Sequence, residues 1–522
     1  MTAALTVPRS RDALLAWAAP LVGAGIAGAL WIVGGRAGWA RGMIVTPAEA
    51  VEPIVGTTRN LYWRATSATV WSAARGLLIG GSLAFFAALA AVTVPSLRRA
   101  ISRLAAIANA APWVAVAPCL LVVLGRDRGP TAVAALAVFF YVFVGATVGL
   151  ASAARSSHDV LSALGAPRWF RVRALQLPGC WPALLDGLKL AAPASLAGAI
   201  FGEWYGARRG LGVLLIGAMQ AGRADRLWAA SLLSAGCGLA AFAVFALARR
   251  ALVARYGASA TQVDETPRRE RHRARTVAGE LATAVGIGAI LVAAWYVWIE
   301  TADVSPLVVP RPSRVWRDLT DTPGDYVSAA GQTLFTSAVA LALGIVVGSL
   351  AAAAAARSRL LAGAVVPIIV LLAATPLVAL LPLFARIFGY EPSTVRLLAA
   401  AMVFFPVFVF TRSGLAAAPD QVVDAIEAMG TPPGRRFRLL TVPAAVPHVA
   451  SGIRIAAGSA VIAAVVGESL IGNRGLGVEF SRAYRQLELP RAFGAAIVIV
   501  VMSVLVFTAA GAAERAVHRR WS

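Results

Sequence analysis

Twelve stretches of about 20 predominantly apolar residues recur along the chain, near 15–34, 67–94, 102–124, 130–152, 184–204, 227–248, 279–299, 328–353, 360–388, 395–414, 452–472 and 492–513. A run of that length crosses a hydrocarbon layer as a helix, because helical hydrogen bonds satisfy every backbone polar group where no water can. An all-α integral membrane protein with about 12 transmembrane helices is therefore expected. Composition agrees, with 59% apolar and 14% charged residues, against about half and a quarter in soluble domains. Disorder is excluded. So is a secreted disulfide scaffold, since Cys119, Cys180 and Cys237 lie far apart and read as packing residues. His158, His272, His448 and His518 form no ligand-spaced pair, so neither a metal nor a cofactor is expected on this chain. The first run lacks a small-residue cleavage site and reads as a retained anchor.

A net charge of +23 would suggest nucleic acid as the partner of a soluble protein. Here the basic residues are scattered between apolar runs, so membrane topology explains them and no nucleic-acid partner is expected. Lys189 is the one lysine, and it sits between Leu188 and Leu190. A phosphate-cradling loop needs Gly-Lys-Ser/Thr, so this chain carries no ATPase of that type. Arginine placement puts both termini on the cytoplasmic side. Much of the basic excess lies in a polar stretch around Pro267, which reads as a cytoplasmic linker, 249–278, between domains 1–248 and 279–522.

The two halves are copies. A shift of 265 residues lays Gly165 on Gly430, Pro178 on Pro443, Gly187 on Gly452, and Lys189 on Arg454. It also lays Gly202-Glu203 on Gly467-Glu468 and Gly210-Leu211-Gly212 on Gly475-Leu476-Gly477. A shift of 264 lays Pro112, Pro118 and Gly125 on Pro376, Pro382 and Gly389. Six spans per half return the chain to the same side, so the repeats are parallel.

The loop between the fourth and fifth spans of each half is the most informative segment. Asp420 follows Pro419 as an N-cap, Val422, Val423, Ile426 and Met429 share one helical face, and Gly430 ends the helix by a left-handed turn. A basic piece with Arg435, Arg436 and Arg438 then runs to Pro443. The first half repeats the plan, from Ser157-His158-Asp159 through Val160, Leu161 and Leu164 to Gly165. Arg168, Arg171 and Arg173 follow, and Pro178 closes it. A short helix with an apolar face either packs on its own membrane domain or fills a groove on a partner. Two such knobs about one pseudo-two-fold suit a two-subunit partner.

These loops carry a resemblance. Asp424-Ala425-Ile426, Gly430 and Leu440-x-Val442-Pro443 have the spacing of the Glu-Ala-Ala…Gly…Ile-x-Leu-Pro loop of membrane subunits of binding-protein-dependent ABC importers. Asp159-Val160-Leu161, Gly165 and Leu175-x-Leu177-Pro178 repeat it, with Asp again in place of Glu. The segments Gly202–Gly212, Gly467–Gly477 and Ala374–Gly389 resemble the sulfonate/nitrate/taurine branch. The resemblance covers both halves and implies a fused permease pair in a bacterial inner membrane. It implies two cytoplasmic ATPases, holding ATP and Mg, that receive Asp159, Leu161, Leu164, Gly165 and Pro178 on one side and Asp424, Ile426, Met429, Gly430 and Pro443 on the other. It implies an extracytoplasmic solute-binding protein and a small polar, often anionic solute such as a sulfonate, taurine, nitrate or a vitamin-precursor pyrimidine.

Other residues have two open roles. Glu203 and Glu468, near the outer ends of the fifth spans, are pathway candidates, or they cap backbone amides or pair with Arg208, Arg209 or Arg474. These three arginines either draw anions to the outer mouth or bind lipid headgroups and a docking protein. Pro112-Trp113 and Thr375-Pro376 line the pathway, with Trp113 as a gate, or kink packed helices. Arg75 reads as snorkelling or paired rather than as a ligand, and Lys189 and Arg454 as positive-inside anchors. The rival function is a self-sufficient secondary transporter with the same number of spans, disfavoured by the duplicated loops and the lack of paired intramembrane acids. A membrane-embedded enzyme lacks a nucleophile–base or metal constellation.

Overall fold

The computed structural model describes residues 28–94, 113–152, 155–256, 277–301, 309–358, 377–418 and 420–521, besides Gly25, Ile101 and 361–362. The first half runs through α1 (Trp39–Gly42), α2 (Pro47–Val55), α3 (Arg59–Thr93), α4 (Trp113–Ala151), α5 (Arg155–Ala163), α6 (Arg168–Arg171), α7 (Leu177–Trp204), α8 (Leu211–Gln220) and α9 (Ala224–Tyr256). The second runs through α10 (Val277–Thr301), α11 (Pro312–Asp321), α12 (Pro323–Arg357), α13 (Leu377–Phe388), α14 (Pro392–Leu415), α15 (Asp420–Ala428), α16 (Pro433–Arg436), α17 (Val442–Ile471), α18 (Leu476–Arg485) and α19 (Leu489–Trp521). From α2 onward the elements repeat in order, and the described residues contain no strand.

Among the described residues, 8 helices are long and apolar enough to cross a membrane. They coincide with the second, fourth, fifth, sixth, eighth, tenth, eleventh and twelfth expected runs. At the seventh run α10 forms a 25-residue helix. The first, third and ninth runs lie partly outside the described residues, as do Pro112, Thr375 and Pro376 entirely. Trp113 begins α4, and its side chain lies outside the described set. Several helices outrun the apolar stretch that announced them: α3 begins at Arg59 and α9 continues to Tyr256, into the expected linker. Hydropathy marks only the part that lipid covers, whereas helical hydrogen bonding continues through arginines into the interface. Residues 257–276 of the linker lie outside the described residues. A kink at Gly125 (φ 79°) divides α4 into the third and fourth spans, and Gly389 (φ 88°) separates α13 from α14 at the equivalent place.

Lipid tails are as apolar as leucine, so close packing rather than water exclusion holds such helices together, and small residues make it possible. In the first half Ala84 and Ala88 of α3 pack with Val142 and Phe143 of α4 and Leu184 of α7. In the second, Ala352 of α12 packs with Phe408 of α14, the residues that the repeat lays on Ala88 and Phe143. A tyrosine ties the start of the second span to the start of the sixth in both halves. Tyr62 donates to the Arg226 carbonyl at 3.2 Å, and Tyr326 to that of Arg491 at 3.3 Å.

The halves interleave. Ala379 and Leu383 of α13 pack among Leu215 and Leu227 of the first half, and the Arg386 guanidinium donates to the Met219 carbonyl. Val133 and Phe201 in turn join a cluster with Val465, Leu476 and Phe480 of the second half. The rings of Tyr205 and Tyr484 meet edge-on across the boundary, 5.8 Å between centroids.

Candidate functional site

Two duplicated features stand at opposite ends of the fifth spans. At one end α5 and α15 form the expected loop helices. Gly165 has φ 70° and Gly430 φ 71°, the left-handed conformation that an L side chain resists. The chain closes behind each glycine in the same way, with Ala166 N donating to Leu161 O at 3.0 Å and Thr431 N to Ile426 O at 3.4 Å. This six-to-one bond is the Schellman closure that consumes an orphan carbonyl at a helix end. Side chains lock the turn as well. Arg171 donates to the Ser162 hydroxyl, and Arg436 pairs with Glu427 at the equivalent positions.

Leu161, Val423 and Ile426 are half-buried, whereas Val160, Leu164, Val422 and Met429 are exposed, Leu164 by 75% and Met429 by 72%. Asp159 and Asp424 are exposed as well. Each apolar face is thus divided, one part turned toward the protein and the other bare. A π-helical turn, Val172–Gln176 or Phe437–Thr441, then leads into the fifth span just before Pro178 or Pro443. Proline has no N–H and its ring crowds the carbonyl four residues back, and the wider i→i+5 turn relieves both.

At the opposite end lie Glu203 and Glu468, only 2% and 3% exposed. The Thr69 hydroxyl of α3 donates to Glu203 at 2.8 Å, and the same oxygen accepts from Leu211 N at 2.8 Å. Gly212 N donates to Glu203 Oε2 at 2.8 Å. Thr333 of α12 repeats this, donating to Glu468 Oε2 at 2.8 Å and accepting from Leu476 N at 2.9 Å, while Gly477 N donates to the carboxylate at 3.1 Å. Each glutamate therefore holds three elements together: the second span, the fifth span and the first turn of α8 or α18, where orphan N–H groups and the helix dipole favour an acceptor. A Cβ added at Gly210 or Gly475 would fall 2.1 Å or 2.4 Å from the carboxylate carbon. The Gly-Leu-Gly turns are glycine because the carboxylate occupies the side-chain space.

Of the two roles open for Glu203 and Glu468, the geometry is that of an amide cap. Among the described residues neither forms an ion pair with Arg208, Arg209 or Arg474, which are exposed beside the turns. Arg75 lies 5.0 Å from the centre of the Trp71 ring one turn earlier on α3, a paired cation. Lys189 and Arg454 are more than anchors: Lys189 Nζ is 3.0 Å from Asp186 and Arg454 Nη1 is 2.9 Å from Glu514. The sequence reasoning missed Thr69 and Thr333. They carried one signal, a threonine on a threonine at the 264-residue shift inside otherwise apolar spans.

Comparison with known proteins agrees with this duplicated plan. The family model described as "Binding-protein-dependent transport system inner membrane component" matches twice, over residues 80–257 and 344–522. The chain is 31% identical over 205 residues to the formylaminopyrimidine transport permease protein ThiX of Halalkalibacterium halodurans, covering 39% of this chain and 82% of that protein. It is 28% identical to a probable ABC transporter permease protein of Haemophilus influenzae, over 42% of this chain and 89% of the relative. The taurine transport system permease protein TauC of Escherichia coli is 24% identical over 43% of this chain and 85% of its own. Each relative nearly in full corresponds to less than half of this chain, as expected when two permease domains have been joined. The chain belongs to the family of binding-protein-dependent ABC transporter permeases, as a fused pair of its membrane domains.

Proposed function

We propose that this chain forms the complete transmembrane pathway of an ATP-driven importer and transmits the work of two cytoplasmic ATPase subunits through α5 and α15. The observation that carries this is the bare apolar strip on each loop helix, Val160 and Leu164 on one and Val422 and Met429 on the other. Each is held in a fixed pose by a left-handed glycine and an arginine contact. Two equivalent knobs on one chain call for two receptor subunits. ATP and Mg belong to those subunits, an extracytoplasmic binding protein delivers the solute, and both termini face the cytoplasm of a bacterial inner membrane. Family membership weighs against the rival, a self-sufficient secondary transporter. Mass measurement of the purified assembly tests the proposal: one copy of this chain with two ATPase subunits is expected, and a complex with two copies of each would refute it.

The solute is a small polar molecule, of the class to which taurine and formylaminopyrimidine belong, and most simply an anion. Arg208, Arg209 and Arg474 stand exposed beside the Gly-Leu-Gly turns of both halves. Clustered positive charge at a narrow mouth concentrates anions and repels cations. Replacing all three by glutamine is expected to lower uptake several-fold at low salt, with the difference shrinking as screening sets in over about 10 Å at 0.1 M. The affinity of the binding protein for the assembly is to be measured alongside. Uptake that falls only because docking weakens would end the case for an anion.

A further inference from the structure

The fifth and sixth spans of each half are joined, toward the loop helices, by a polar cluster that the repeat carries twice with its charges rearranged. In the first half Asp186 of α7 accepts from Lys189 Nζ at 3.0 Å and from Arg249 Nε of α9 at 2.8 Å. Lys189 Nζ also lies 5.8 Å from the centre of the Phe242 ring of α9. The shift of 265 residues carries Asp186, Lys189, Phe242 and Arg249 onto Ser451, Arg454, Phe507 and Glu514. There Glu514 of α19 accepts from Arg454 Nη1 of α17 at 2.9 Å and from the Ser451 hydroxyl at 2.6 Å. The Arg454 guanidinium sits 4.7 Å over the Phe507 ring. The geometry is kept, but the acid has moved from the fifth span to the sixth. A contact that survives this exchange depends on attraction between the two helices, whichever of them holds the acid.

We infer that each cluster is a clamp that makes the fifth and sixth spans move as one body with the adjoining loop helix. The fifth spans are continuous with their loops, as Trp169–Trp204 and Gly434–Ile471 each run without interruption through the π-helical turn. A displacement of α5 or α15 therefore passes through the locked glycine turn, then along one rod to Asp186 or Arg454, and the clamp hands it across to α9 or α19. The cation–ring contact adds to the ion pair on the same side of the crossing. Asp186, Lys189, Arg249, Ser451, Arg454 and Glu514 are positioning residues in this scheme. The inference rests on the proposal that the loop helices receive the ATPases.

Spin-label distances in the full assembly with its co-purifying ATPases test both, once Cys119, Cys180 and Cys237 are replaced by serine. Ala163 and Ala251, and their equivalents Ala428 and Ala516, are exposed positions on the loop helices and on the ends of the sixth spans. With cysteine labels there, the distance between Ala163 and Ala428 should change when ATP and vanadate trap the ATPases. The distances within a half, Ala163 to Ala251 and Ala428 to Ala516, should stay the same. Glu514→Gln should broaden and shift the Ala428–Ala516 distance on trapping, as should Glu514→Arg alone. Ser451→Asp with Glu514→Arg, which writes the first half's arrangement into the second, should restore the narrow distribution. A merely structural cluster would change the yield of assembly without making this distance depend on nucleotide. An Ala428–Ala516 distance indifferent to Glu514→Gln, or a double variant that assembles or behaves no better than Glu514→Arg, overturns the clamp. A Ala163–Ala428 distance that ignores ATP and vanadate overturns the coupling proposal instead.

Discussion

Replacing Glu203 and Glu468 together by alanine is expected to cost about 2–4 kcal/mol per site, by orphaning a buried donor and opening a cavity. The donor left without a partner is Gly212 N in one half and Gly477 N in the other. Thr69 and Thr333 would also lose the acceptor that aims their hydroxyls at the turn, although each retains a carbonyl of its own helix, Ala65 or Ala329, at 3.2 Å. The effect should appear as a large fall in the unfolding temperature of the detergent-solubilised chain, and α8 and α18 should become accessible to protease. Glutamine should be far milder, because an amide oxygen still accepts from the turn. At Glu468 this is clearest, since Oε2 receives both bonds and Oε1 has no partner among the described residues. The pair of substitutions separates the cap from a pathway role. A glutamine variant that folds normally and has lost transport would show that the charge itself is used, and an alanine double variant as stable as the parent would sink the cap.

Valine at both Gly165 and Gly430 is the second large effect. A Cβ at either position would meet nothing within 4 Å, so crowding is not at issue and the whole penalty is the left-handed backbone. That penalty is about 1–2 kcal/mol for each residue. Each loop helix bears its own penalty, comparable to the roughly 1.4 kcal/mol that shifts an equilibrium tenfold, so each should be displaced several-fold toward non-native poses. Stimulation of ATP hydrolysis by the binding protein should collapse, while the membrane spans remain inserted and the unfolding temperature changes little. Asparagine, which tolerates the left-handed region better, should retain more coupling than alanine, and alanine more than valine. Equal coupling across that series would show that the turns are not transmission elements.

Much of the molecule was legible because it is local. Apolar runs announce helices, since lipid leaves the backbone no other way to satisfy its hydrogen bonds. Gly165 and Gly430 announce their own left-handed turns, because that requirement belongs to one residue and its neighbours. The internal repeat is a property of the string of letters. Helix ends were less legible, as at Arg59 and Tyr256, because the signal stops where the lipid does and the helix does not.

The roles of the buried polar groups were decided by packing. Glu203 alone is an acid at the end of an apolar span, and only Thr69, 134 residues away, and the approach of Gly212 make it a cap. Lys189 alone looks like an anchor, until Asp186 and the sixth span of the same half are placed beside it. The interleaving of α13 with the first half has no sequence signature either, since apolar surfaces of similar size can pack in many ways. The sequence by itself determined that the chain is built of apolar helices, 8 of which the described residues show to be long enough to cross a membrane, that they come in two copies, and where the loops turn. Which helix stands next to which, and therefore which charge meets which, was decided only by the tertiary structure, because a polar side chain in an apolar medium takes its role from a partner that is distant along the chain.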